Sequence, residues 1–268
     1  MIPFRVVIPA RYGSSRFPGK PLAMLAGRTV LEHVWQRARA SGAMEVVIAT
    51  DDERIAAAAR ALGADVQLTG TTHRSGTERV AEVSEIRNWA ESDLVVNCQG
   101  DAPLMPPAAI NQVAGLLAAH PHAALATLCT PVTDWSDYHS AHVVKVVCAA
   151  DGRALYFSRA PIPAVAHGSA DGSARGTEGG PAALPPGLRH LGLRHLGLYA
   201  YRVGRLRQLA AAPPCELEML ESLEQLRALW LGLAIQVGRA DAALGPDIDT
   251  PEDLVRAEAH LRQSGMTA

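Results

Sequence analysis

Short apolar runs alternate with helix-period stretches over the first half of the chain. Residues 5–8 predict a strand. Residues 30–41 predict a helix with Val30, Leu31, Val34 and Ala38 on one face, ended by Gly42. Glu45–Thr50 reads as the next strand, and Asp51 or Asp52 is placed to cap a helix that runs through Ala61 and stops at Gly63. Asp65–Leu68 predicts a third strand and 77–90 a helix. Residues 94–98 are almost wholly apolar, as a strand covered on both faces should be, and Pro107–Ala119 predicts a further helix. This strand–helix rhythm predicts an α/β fold: a doubly wound, mostly parallel sheet, Rossmann-like, with helices on both faces.

The pattern then changes. Leu125–Pro131, 143–148 and 154–157 predict strands of a smaller, β-rich subregion spanning about 125–212. Inside it, 164–187 is dense in Gly, Ala, Pro and Ser, and an insertion over 164–188 is expected to be a mobile surface loop. Arg189-His190-Leu191-Gly192-Leu193 is followed at once by Arg194-His195-Leu196-Gly197-Leu198. One copy is expected in a strand ending at Tyr201, the other in the loop. Residues 216–231 predict one long helix. Thr250-Pro251-Glu252-Asp253 reads as a capping box with proline at the first helical position. A single domain over 1–268 is the expectation.

The segment between the first strand and the first long helix carries the most chemistry. Ala10-Arg11-Tyr12-Gly13-Ser14-Ser15-Arg16-Phe17-Pro18-Gly19-Lys20-Pro21 offers backbone N–H groups, hydroxyls and three cations within one loop. A polyphosphate needs such donors and such charge. The spacing departs from a Walker A loop: five residues separate Gly13 from Gly19, and proline follows Lys20. No Gly-x-Gly-x-x-Gly occurs either. In open α/β sheets ligands bind beyond the carboxyl ends of the strands. The loop and Gln99-Gly100-Asp101 both follow predicted strands, so both belong to that edge.

Asp101 and Asp249 are the candidate carboxylates for Mg²⁺ shared with substrate phosphates. Thr250 can cap the helix, which leaves the Asp249 carboxylate for other work; the plainer reading of Asp249 is a turn acid. Ser75-Gly76-Thr77-Glu78-Arg79 is a polar turn before a helix and serves either as a ligand loop or as a cap. Arg159, His195, Tyr199, Glu224 and Gln225 together offer a cation and hydroxyl-binding groups for a hydroxylated acid. No Ser-His-Asp or Cys-His order marks a nucleophile.

Composition narrows the partners. A net charge of -2 gives no basic footprint for nucleic acid. No apolar run approaches the roughly 20 residues that cross a membrane. The N-terminus runs straight into a strand without the layout of a signal peptide, and the four cysteines are scattered without metal spacing. A cytoplasmic protein with unpaired thiols is expected.

Eight motifs in order resemble the 3-deoxy-manno-octulosonate cytidylyltransferase (CMP-Kdo synthetase) family over nearly the whole chain. They are Ile8-Pro9-Ala10-Arg11 through Lys20-Pro21-Leu22, Ala49-Thr50-Asp51, Ser75-Gly76-Thr77-Glu78-Arg79, Asn97-x-Gln99-Gly100-Asp101, Ala154-Leu155-Tyr156-Phe157-Ser158-Arg159, His195-Leu196-Gly197-Leu198-Tyr199-Ala200-Tyr201-Arg202, Leu223-Glu224-Gln225-Leu226-Arg227 and Asp249-Thr250-Pro251-Glu252-Asp253-Leu254. The resemblance implies transfer of CMP from CTP to the anomeric hydroxyl of Kdo, releasing pyrophosphate, as a step toward lipopolysaccharide. It implies that Ala10, Arg11, Lys20, Ser75, Arg79 and Gln99 bind CTP, with Arg11, Lys20 and Asp101 catalytic. It further implies Mg²⁺ on Asp101 and Asp249, Kdo on Arg159, His195, Tyr199, Glu224 and Gln225, and a homodimer with 156–163 near the partner.

The chain departs from the family pattern at Ala102, where an acid is usual, at Arg74, in the insertion and in the duplicated pentapeptide. Two readings stay beside the leading one: a paralogue for a related 3-deoxy sugar acid, and a nucleotide-binding homologue with weakened catalysis. A sugar-1-phosphate nucleotidyltransferase would open with Gly-x-Gly-Thr-Arg, which this chain lacks.

Overall fold

A computed structural model describes residues 2–13, 16–164, 184, 186–243 and 245–263. The elements in chain order are β1 (Arg5–Ala10), a 3₁₀ turn (Lys20–Leu22), β2 (Met24–Leu25), β3 (Arg28–Thr29), α1 (Val30–Arg39), β4 (Glu45–Thr50), α2 (Glu53–Ala61), β5 (Asp65–Leu68), α3 (Gly76–Ile86), β6 (Leu94–Asn97), α4 (Pro107–Ala119), β7 (Leu125–Pro131), α5 (Trp135–His139), β8 (Lys145–Cys148), β9 (Ala154–Ser158), α6 (Pro186–Leu191), β10 (Leu193–Arg202), α7 (Val203–Ala211), α8 (Glu216–Glu221), α9 (Gln225–Trp230), β11 (Ile235–Arg239) and α10 (Pro251–Gln263).

Packing divides them into two compact units. The first takes Met1–Leu125, Leu198–Ala212 and Asp241–Ala268; the second takes Ala126–Gly197 and Pro213–Ala240. In the first unit the strand order is β10-β6-β1-β4-β5. β6, β1, β4 and β5 run parallel, and the C-terminal half of β10 lies antiparallel to β6, with Tyr199 opposite Asn97. Helices cover both faces of this mostly parallel sheet. Val6, Val7, Ile8, Val47, Ile48, Val95 and Val96 have no exposed surface. That burial on both faces explains why their sequence shows no alternation. Helices α1, α2 and α3 start on side-chain caps: the Thr29, Asp52 and Ser75 oxygens accept from the N–H groups of Glu32, Arg54 and Glu78.

The second unit is built on antiparallel pairs. The N-terminal half of β10 pairs β8, β8 pairs β9, and β7 lies between β10 and β11. A bridge between Arg153 and Gln236 closes the ring of pairings.

The structure departs from the sequence reading in several places. The predicted helix over 216–231 is two helices, because Ser222 takes a left-handed conformation (φ 52°) between α8 and α9. The short β2–β3 hairpin, α5 and β11 carry too few periodic positions to be read from pattern, and α7 follows β10 without a capping residue to mark its start. The first pentapeptide copy ends α6 rather than extending a loop, while the second lies in β10. The expected mobile insertion falls largely outside the described residues, as do Ser14 and Ser15.

Candidate active site

In the first unit the carboxyl ends of β1 and β6 bring the phosphate-type loop to Gln99-Gly100-Asp101. Gly100 makes the approach possible: a β-carbon there would lie 2.7 Å from the Pro9 carbonyl oxygen, closer than any side chain tolerates. The loop after β1 is folded back by a hydrogen bond from the Gly19 N–H to the Tyr12 carbonyl, 2.9 Å. Gly19 has φ 72°, and its missing side chain leaves room for the Tyr12 ring. The Arg54 guanidinium stacks over that ring at 3.3 Å and is held by the Asp52 carboxylate.

Lys20 lies at the centre of the acidic pocket. Its ammonium donates to Asp101 Oδ2 (2.8 Å), to the Ile248 carbonyl (2.6 Å) and to Asp249 Oδ1 (3.4 Å). Arg16 reaches the other Asp249 oxygen at 3.1 Å. Residues 80 and more apart in sequence thus converge on one cation. Asp249 does not cap α10. Thr250 Oγ1 accepts from the Asp253 N–H, while the Asp253 carboxylate takes the Asp249 and Thr250 N–H groups. The Asp249 carboxylate is therefore spent on Lys20 and Arg16 rather than on the helix.

Two carboxylates that already share one cation suit a divalent ion completed by substrate phosphates. Among the described residues no group of three or more His, Cys, Asp or Glu forms a self-sufficient metal site. Ala102, next to Asp101, is buried and adds no carboxylate.

The other nucleotide candidates fall into three settings. Ala10 ends β1, buried, and Arg11 beside it is exposed. Ser75 spends its hydroxyl on capping α3, and Gln99 packs beside Gly76. Arg79 is buried and engaged: it pairs with Asp51 at 3.1 Å and donates to Thr69 and Gly70. These contacts fix its guanidinium between the ends of β4 and β5 and the start of α3. Cys98, under Asp101, is pushed up to about 12 by burial, with the Asp101 and Asp247 charges adding. A thiol held neutral in this way is no nucleophile.

In the second unit the acceptor candidates rest on two residues that sequence reasoning did not single out. The Glu221 carboxylate accepts from the Ser158 hydroxyl (2.7 Å) and from the Arg159 N–H (2.9 Å). Arg159 Nε donates to the Glu221 carbonyl (2.7 Å), and another guanidinium nitrogen to the Ala141 carbonyl (2.9 Å). Lys145, with no exposed surface, donates to the carbonyls of Ser140, Val143 and Arg159 at 2.6–2.8 Å. Burial pushes its pKa down. The only sequence signal for Lys145 was a charge inside a strand pattern.

His195 is partly exposed as a residue, but its imidazole is enclosed, edge-on to Phe157 at 5.0 Å. Desolvation pushes its pKa down to about 3. The Thr127 hydroxyl donates to the Leu196 carbonyl (3.0 Å) and lies 2.9 Å from His195 Nε2. Thr127 Oγ1 therefore bridges the His195 ring and the β10 backbone. Glu224 and buried Gln225 follow the Ser222 break, and the buried Glu218–Arg227 pair ties α8 to α9 around them. Tyr199, on β10, belongs to the first unit, 5.8 Å from Tyr201.

Comparison with known proteins gives a consistent result. A cytidylyltransferase family model matches residues 5–235. A 3-deoxy-manno-octulosonate cytidylyltransferase of Pseudomonas syringae pv. tomato is 51% identical over 258 residues, covering 96% of this chain and 98% of that protein. One from Alkalilimnicola ehrlichii is 51% identical over 271 residues, 99% of each. A solved structure of CMP:2-keto-3-deoxy-manno-octonic acid synthetase complexed with CTP superposes with a TM-score of 0.83 at 36% identity, covering 98% of this chain and 99% of that one.

Proposed function

Because this chain belongs to the 3-deoxy-manno-octulosonate cytidylyltransferase family, we propose that its acidic pocket and its Arg159 cradle divide the work of activating a sugar acid. The enzyme transfers CMP from CTP to Kdo and releases pyrophosphate. The observation that carries the division is the convergence of Asp101, Asp249 and Lys20 at the strand ends of the first unit.

The nucleotide is assigned to the first unit. Arg11 and Lys20 neutralise the phosphates, and Ala10, Ser75 and Gln99 take the nucleoside. Arg79, oriented by Asp51 and Thr69, completes the nucleotide set. Mg²⁺ is assigned to Asp101 and Asp249, where it supplies charge neutralisation at the phosphates. Kdo is assigned to Arg159, His195, Tyr199, Glu224 and Gln225, with Arg159 as the partner of its carboxylate. The anomeric hydroxyl attacks the α-phosphorus in line, and no covalent enzyme intermediate is required. Catalysis is then positioning and charge stabilisation. His195, held neutral by desolvation, takes part in binding the hydroxyls of the acid. A cytoplasmic homodimer serving lipopolysaccharide assembly completes the reading.

Pyrophosphate release with CTP and Mg²⁺, with and without Kdo, tests it. Release that needs Kdo and fails with ATP or UTP is expected. CTP that raises the melting temperature without any Kdo-dependent release would overturn the acceptor assignment.

A further inference from the structure

One polar side chain in the core of the first unit is unaccounted for by any role above. β6 reads Leu94-Val95-Val96-Asn97, and all four residues are buried, Asn97 with no exposed surface. Both the nitrogen and the oxygen of the Asn97 carboxamide are buried without a hydrogen-bond partner among the described residues. Asn97 sits in mid-sheet, between Val7 of β1 and Tyr199 of β10. An apolar residue of the same size would satisfy packing there at lower cost, since an unpaired buried amide loses its hydration for nothing.

Its neighbours say what the amide faces. A β-carbon built on Gly76 would lie 3.1 Å from Pro9 Cγ, 3.3 Å from Gln99 Oε1 and 3.6 Å from Asn97 Nδ2. The missing side chain of Gly76 therefore leaves a space in which the Asn97 amide nitrogen and the Gln99 amide oxygen flank one point. One is a donor and the other an acceptor.

We propose that Asn97 is a positioning residue that fixes the orientation of Gln99 when nucleotide binds: Asn97 Nδ2 donates to Gln99 Oε1, and the Gln99 NH₂ is turned to an acceptor atom of the nucleoside. This rests on the assignment of CTP to the first unit. Without Asn97 the Gln99 amide can present either end. With it, only the donor end is offered. That acceptor is either a cytosine atom or a ribose oxygen, and the two sources leave different signatures. Cytosine N3 is an acceptor where uracil N3 carries a proton, so a fixed donor at the base edge favours CTP over UTP. A fixed donor at the ribose favours neither.

The experiment compares Asn97→Leu, Gln99→Ala and the double variant in the full chain. N97L is expected to melt at or above the wild-type temperature without ligand, because it removes an unsatisfied buried group. It is expected to raise KM for CTP at least tenfold and to leave KM for the acid unchanged. The double variant should be no worse than Q99A, since both changes act on one contact. Loss of CTP-over-UTP preference in N97L assigns the contact to the base; equal weakening of both nucleotides assigns it to the ribose. Gly76→Ala, which drives a methyl between the two amides, should reproduce the rise in KM for CTP and guards against a failure of N97L to fold. A wild-type KM for CTP in folded N97L, or additive effects of N97L and Q99A, would overturn the proposal. Failure of the wild-type chain to use CTP at all would instead overturn the function on which it rests.

Discussion

The two units hold their candidate residues by different means. In the first, Lys20 follows the loop after a strand end, and two of its partners, Asp101 and Asp249, are themselves candidates of the site. In the second, Arg159 is held by groups outside the assigned ligand set, namely Glu221, the Ala141 carbonyl and, through its own carbonyl, Lys145. A site made at strand ends needs little support, because parallel strands deliver their carboxyl ends to one edge. A site on short antiparallel strands and one-and-a-half-turn helices needs dedicated props. The difference predicts that substitutions in the first unit act on chemistry, and substitutions in the second act on stability and acceptor binding together.

Asp101→Asn gives the sharpest break. It keeps the volume, removes one charge from the pocket, and should lower turnover by about 10²–10³-fold, as losing one preorganised charge does. The melting temperature should stay close to wild type. Near-normal turnover would dissolve the acidic pocket as the reacting centre. Lys145→Met tests the other side. It strands three carbonyls in the core and should cost about 2–4 kcal/mol in chemical denaturation. A rise in KM for the acid, with KM for CTP unchanged, should accompany it. If both KM values rise equally, the separation of roles between the units fails.

A third comparison uses the duplicated pentapeptide. Gly192 packs against α6: a β-carbon there would lie 2.7 Å from the Leu188 carbonyl oxygen. Gly197, the same residue of the second copy, has open space around it. Gly192→Ala should destabilise by about 1–3 kcal/mol, while Gly197→Ala should stay within about 0.5 kcal/mol. Denaturation midpoints of the two variants, measured side by side, decide it.

The smallest effect concerns pH. His195 has a folded pKa near 3, against the ordinary value of 6.5. The unfolded chain therefore binds the extra proton between those values. His195 contributes stability above about pH 6.5 that is lost as pH falls toward 3. His195→Gln should flatten the acid limb of the stability curve relative to wild type. An unchanged slope would mean that the imidazole is open to water.

Much of the first unit was legible because its signals are local. Glu45–Thr50, Asp65–Leu68 and Pro107–Ala119 form at the boundaries that periodicity sets. Asp52 and the Thr250–Asp253 pair cap the helices that their spacing announces. The family, too, was legible, because eight short motifs keep their order. The props of the second unit were not, since nothing local tells a lysine at a strand start that its ammonium will end under the carbonyl of a residue 14 positions on.

The sequence by itself determined the α/β rhythm, the strand ends that gather the candidate residues, and the family, through burial patterns and loop chemistry that act over a few residues. The tertiary structure decided which of two identical pentapeptides became a helix end and which a strand. It decided that Arg79 is buried and paired with Asp51. It also decided that the buried amide of Asn97, beside Gln99, has no hydrogen-bond partner among the described residues. Each depends on which distant backbone or side chain occupies the neighbouring volume. Packing settles that only when the whole chain has found its neighbours.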